Sequence, residues 1–147
     1  MIPVKYALIA VAMGGSLALY IPMLSQSGRI VGSPVMANIP FFFIALLTTI
    51  VIFLATGKLS DVGNLAQVPP WMFTAGIVSA FMIVGSVFLI PRIGAGPFFV
   101  LLVAGQLLMG AVVSHFGLLG SPVDPANLKK VAGVLLAIAG AYLVTTH

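Results

Sequence analysis

Gln106 sits near the middle of an apolar run, with Val103, Gly110 and Ser114 at helical spacing around it. An unpaired amide in hydrocarbon costs several kcal/mol, so this side chain must face protein or a water-filled cavity. The same three- and four-residue spacing gathers polar or polarisable groups on the other runs. On the first, it gathers Met13, Ser16 and Tyr20. On the second, it gathers Asn38, Phe41, Phe42, Ala45 and Thr49, and on the third Ala75, Ser79, Met82 and Ser86. Two uses fit these groups: hydrogen bonds that glue helices together, worth only ~0.6–2 kcal/mol in a bilayer, or the lining of a substrate pocket. The candidate lining set is Ser16, Tyr20, Asn38, Phe41, Phe42, Ser79, Met82, Ser86, Gln106 and Gly110. For Tyr20 and Asn38, interfacial hydrogen bonding is the competing use.

The chemistry that is missing is as informative. No Asp or Glu falls inside an apolar run, so nothing offers the buried carboxylate on which cation-for-proton exchange depends. His115, at the end of the fourth run, is the titratable candidate for gating or proton coupling, against a bland role as an interfacial structural histidine. There is no nucleophile–base pair, metal-ligand cluster or acidic pair in the runs, so neither an enzyme nor a cofactor is expected. Cysteine is absent, which removes disulfides and thiolate metal sites and chooses no compartment.

Composition says what must position these groups. The chain is 61% hydrophobic and 5% charged, with a mean hydropathy of +1.27. Soluble domains carry about 25% charged residues, so lipid must be part of the solvent. Six Lys and Arg, scattered singly except for Lys129-Lys130, form no stripe that could neutralise a row of phosphates, which excludes nucleic acid. The expected fold is an all-α integral membrane protein, a single transmembrane domain over residues 1–147 with helices at about 4–24, 35–56, 71–90, 98–116 and 125–146. A span needs ~20 apolar residues. A signal peptide competes for the first run, which is too long for one and lacks a small-x-small cleavage site.

The boundaries follow from local signals. Pro22 closes the first run. Ser25 to Pro34 and Gly57 to Pro70 read as polar connections, and Pro91 to Gly94 leaves room for only a tight turn. Gly-Ser-Pro-Val occurs at Gly32 and again at Gly120, read as a serine cap with proline at the first helical position, used twice. Asp124-Pro125 reads as the cap and first residue of the fifth helix. Five spans put the termini on opposite sides. Lys5, Lys58, Lys129 and Lys130 then face Arg29 and Arg92 across the bilayer. That charge balance predicts a cytoplasmic N-terminus, with insertion in both orientations as the alternative. Gly133, Ala137 and Ala141 recur every four residues on the last run beside Gly140. Such a strip lets two backbones approach closely, within one protomer or between two.

From Trp71 to Gly140 the chain shows Pro91-Arg92-Ile93-Gly94-Ala95, Val103-Ala104-Gly105-Gln106-Leu107, His115-Phe116-Gly117-Leu118-Leu119-Gly120 and Gly133-Val134-Leu135-Leu136, with Ala139-Gly140 after them. With Gly32-Ser33-Pro34 and Ala37, these runs resemble the short YdcZ-like branch of the drug/metabolite transporter superfamily. The resemblance implies a five-helix unit of the bacterial inner membrane, equal to one inverted-repeat half of a ten-helix transporter. It also implies a small-molecule substrate, for export or uptake, and an antiparallel homodimer, since a lone half needs a partner. The chain departs from that pattern. Tyr20 and Leu24 stand where members often carry Gln and Asn, Pro40 where a Ser often follows, and Ser114 where an acidic residue often precedes the histidine. These changes favour a neutral, aromatic or amphipathic substrate. A flippase for lipids or lipid-linked sugars, and a non-transporting membrane subunit, stay open as alternatives.

Overall fold

The computed structural model describes residues 3–146. Among the described residues there is no strand, and five helices are long and apolar enough to cross a membrane. They are α1 (Val4–Val31), α2 (Pro34–Thr56), α3 (Thr74–Ile93), α4 (Ala95–Phe116) and α5 (Leu128–Thr145). The all-α membrane fold is as expected. The contacts divide the chain into two compact units, one ending at Arg92 and the other starting at Ile93.

In the first unit, α1 runs through Pro22 and ends only at Gly32, whose φ of 78° is the left-handed conformation that glycine adopts without strain. The expected end near residue 24 is therefore corrected. Pro22 removes one helical hydrogen bond, to the Ala18 carbonyl, but Ile21, Leu24, Ser25 and Gly28 are buried. Packing holds the turn that proline weakens. At 28 residues, α1 is about 42 Å long at 1.5 Å per residue, more than the ~30 Å of hydrocarbon. Its last turns therefore reach the interface, where the polar run Ser25 to Arg29 is at home.

The cap of α2 forms as read. Ser33 is extended, its hydroxyl accepts from Met36 N–H at 3.3 Å, and Pro34 occupies the first turn. A 3-10 segment, Leu59–Gln67, and another, Pro70–Phe73, lead into α3. The core of this unit is Leu24, Ala37, Ile83 and Val87, with Tyr20, Phe41 and Phe42 packed against it. Each helix contributes to it.

In the second unit, α4 follows α3 after the single residue Gly94, at a φ of 85°. It ends on Gly117 at 61°. The fifth helix is shorter than expected. It starts at Leu128, capped by Asn127, whose side-chain oxygen accepts from Lys130 N–H at 3.0 Å. Asp124 is no cap because its carboxylate pairs with Lys130. The second Ser-Pro pair starts no helix either: residues 121–127 have no regular structure. At 18 residues, α5 rises about 27 Å, just short of the ~30 Å hydrocarbon core.

Candidate functional site

Pro91 shapes the first unit by the acceptor it releases. Pro91 lies inside α3 and has no N–H, so the carbonyl four residues earlier, Val87, loses its helical donor. The hydroxyl of Ser25 on α1 supplies one at 3.4 Å. Ser25 is 3% exposed and Val87 2%. Here α1 and α3 come so close that a Cβ built on Gly28 would stand 2.6 Å from Cγ1 of Val87.

One turn along α1, the Tyr20 ring stacks on Phe41 of α2, centroids 5.7 Å apart at 17°. Phe41 meets Phe42 edge-on at 5.2 Å. Asn38, one turn before these phenylalanines on α2, is 5% exposed. Its Nδ2 donates to the Ala80 carbonyl of α3 at 3.5 Å, and its buried Oδ1 has no partner among the described residues. Turning the amide over would set Oδ1 against a carbonyl, so the hydrogen bond fixes its sense. A buried acceptor without a partner is rare. Tyr20, Leu24, Ala37 and Phe41 also line a groove of about 320 Å³ with Met23 and Ile44.

Of the remaining polar groups on these helices, Ser86 is buried and satisfied by its own helix, donating to the Met82 carbonyl at 2.7 Å. Ser16 is exposed and donates to Ala12 at 3.0 Å. Ser79 and Met82 are exposed. So Tyr20, Asn38, Phe41 and Phe42 are brought together with the core of the unit, whereas Ser16 and Ser79 stand on outer faces.

In the second unit, Gln106 and Gly110 are exposed, and the Gln106 amide makes no hydrogen bond among the described residues. Lipid accounts for the exposed leucines and valines of α4. It does not account for an amide near the helix centre. At the end of α4, His115 Nδ1 accepts from the Ala126 N–H at 2.9 Å, and the ring meets Phe116 edge-on. The imidazole fastens the loop that leads to α5. On α5, Ala141 is buried, Ala137 and Gly140 are half-buried, and Gly133 is exposed with open space where a Cβ would be. No group of three or more His, Cys, Asp or Glu able to hold a metal exists among the described residues.

Comparison with known families decides what such an arrangement belongs to. The profile of the family described as "Putative inner membrane exporter, YdcZ" matches residues 5–143. The chain belongs to this YdcZ-like exporter family of the drug/metabolite transporter superfamily. Searches of curated proteins and of solved structures each found no match. The family is one of membrane transporters, not of enzymes, and it places the chain in the inner membrane as a multi-pass protein.

In this YdcZ-like chain Ser25, Gly28 and Arg29 do not stand out in the sequence as site residues, because Ser25 to Pro34 reads as a polar connection in which Arg29 is only a loop charge. A signal was present. Pro91 inside an apolar run announces an orphaned carbonyl at Val87. Pro22, Ser25 and Arg29 fall on one face if the helix is carried past its proline.

Proposed function

We propose that the chain moves a small neutral, aromatic or amphipathic molecule across the inner membrane, as an antiparallel homodimer that alternates access between the two sides. The observation that supports this reading is the buried, unpaired Oδ1 of Asn38, one helical turn before Phe41 and Phe42 of the aromatic ladder. An acceptor that offers a hydrogen bond next to aromatic faces suits a ligand with one donor and a flat apolar body. Gln106 supports the second copy, since a partner's surface or a cavity between partners gives its amide what lipid cannot. In this reading Gly133, Ala137, Gly140 and Ala141 form a packing seam. His115 is a candidate for gating.

Pro22, Pro40 and Pro91 lie inside α1, α2 and α3 and are the places where these helices can bend. Purified protein in liposomes tests the reading with a panel of labelled neutral, aromatic and amphipathic compounds. Saturable flux that falls in Asn38→Leu and Gln106→Ala supports it. A full panel without flux removes it.

The apolar groove of about 320 Å³ between α1 and α2 favours a second reading, a lipid flippase. Scrambling of fluorescent phospholipid by the same liposomes, with no flux of dissolved compounds, would select it.

A further inference from the structure

A cavity of about 720 Å³ opens between the last turns of α1 and α3. Its polar wall is Ser25, Gln26 and Arg29 of α1, and its apolar wall includes Pro22, Ile90 and Pro91. The size matches sites that hold small organic ligands, ~300–1,000 Å³. A second hollow of about 360 Å³ shares Ser25, Arg29 and Pro91 with it and adds Arg92.

The two guanidinium groups differ. Arg92 is occupied: its Nη1 donates to the Phe88 carbonyl and its guanidinium carbon lies 3.4 Å from the centroid of the Phe88 ring. Arg29 has no hydrogen-bond or ion-pair partner among the described residues. The chain has only two acidic side chains, Asp61 and Asp124. Asp124 pairs with Lys130, and Asp61 lies in the 3-10 segment after α2. The C-terminal dipole of α1 offers Arg29 about half a negative charge, and no protein anion meets this exposed cation on the cavity wall among the described residues.

Around that cation the structure supplies a neutral group that suits an oxyanion. The Gln26 amide is exposed beside it, and the buried Ser25, whose hydroxyl is committed to Val87, closes the cavity's inner edge. A guanidinium grips carboxylate or phosphate oxygens with two parallel N–H groups, and rings or alkyl chains rest on proline and isoleucine.

We propose that this cavity binds the acidic group of a small amphipathic acid, a carboxylate or phosphate on an apolar body, through Arg29 with Gln26. The site rests on the transporter reading and narrows it to the amphipathic class, with an acid in place of a neutral head; its binding chemistry stands without that reading.

The test uses purified full-length protein in phosphatidylcholine nanodiscs, with sodium benzoate as probe and benzamide as its neutral counterpart. Calorimetric titration reads the affinities and thermal unfolding reports the fold. Benzoate is expected to bind saturably and more tightly than benzamide. Arg29→Gln should weaken benzoate by about tenfold or more, the effect of losing a charged hydrogen-bond partner, while leaving benzamide and the unliganded midpoint unchanged. Arg29→Lys should recover part of the loss.

Equal binding of both probes, or benzoate binding indifferent to Arg29→Gln, overturns the proposal. A phosphatidylglycerol headgroup carries the same oxyanion chemistry. If nanodiscs containing that lipid stabilise the protein through Arg29 and benzoate does not bind, the site belongs to a membrane lipid and the proposal falls. Benzoate binding without flux in liposomes would sink the transporter reading alone. Flux of neutral aromatics with no acid binding would sink the acid site alone.

Discussion

The Ser25 hydroxyl donates across from α1 to the Val87 carbonyl of α3, an acceptor that Pro91 has left without its helical N–H. A proline on one helix thus creates the need that a serine on another meets. The pair ties the two helices where Gly28 lets them approach. In a membrane, helices associate through close packing and such hydrogen bonds, because lipid is as apolar as their side chains.

Ser25→Ala should therefore destabilise the protein by about 1–3 kcal/mol, the cost of leaving a buried carbonyl without a donor. In a Pro91→Ala background the helix supplies its own N–H to Val87, and the same substitution should cost markedly less. Unfolding in mixed micelles of the four variants measures the coupling. Additive effects would mean that Ser25 acts through packing alone.

Gly28→Val should destabilise by about 1–3 kcal/mol through overpacking. The new side chain would drive into Val87, which is itself 2% exposed and cannot retreat. Gly14→Val, at a position with nothing within 4 Å of a built Cβ, serves as the control and should shift the unfolding midpoint little.

Asn38→Leu should raise stability by about 1 kcal/mol or leave it level, since it removes a buried amide whose oxygen is unpaired. Ala80's carbonyl keeps its helical donor, so nothing new is orphaned. If the amide exists for a ligand, the same variant should lose most of its flux in liposomes. Lower stability with full flux would make Asn38 plain helix glue.

The physics behind these positions also explains what the sequence could reveal. Five apolar runs and the Ser33-Pro34 start of α2 were legible because length and capping are local properties. The packing of Tyr20 on Phe41 was not, because spacing along one helix does not say which helix lies beside it. The true end of α1 was not, because packing at Ser25 and Gly28 outweighs the local penalty of Pro22. The start of α5 was not, because Asp124 has two possible uses and the ion pair with Lys130 takes it from capping. The cavity at Arg29 stayed hidden for the same reason as the end of α1: a helix read as a linker presents no face.

If the chain pairs with a second copy as proposed, Gln106→Leu should weaken that pairing in the bilayer by about 0.6–2 kcal/mol, the worth of an interhelical hydrogen bond there. The amide is exposed and makes no hydrogen bond among the described residues. A single-molecule or subunit-exchange measurement in lipid reads the change. An unchanged dimer fraction would place Gln106 in a water-filled path instead.

His115→Ala should loosen the segment from Gly117 to Asn127. That segment is held at three points: Ala126 N–H to His115 Nδ1 at 2.9 Å, Asp124 N–H to the Ser114 carbonyl at 2.8 Å, and Lys130 Nζ to the carbonyls of Asp124 and Pro125 at 3.0 Å each. Removing the imidazole frees one N–H on an exposed loop, a loss of about 0.5–1.5 kcal/mol. Hydrogen exchange should rise across the loop and spare the middle of α4. Lys130→Ala should produce the same pattern, since it releases the loop from the other side. If His115 served proton coupling alone, its removal would leave exchange in the loop unchanged while altering flux, and the two variants would no longer resemble each other.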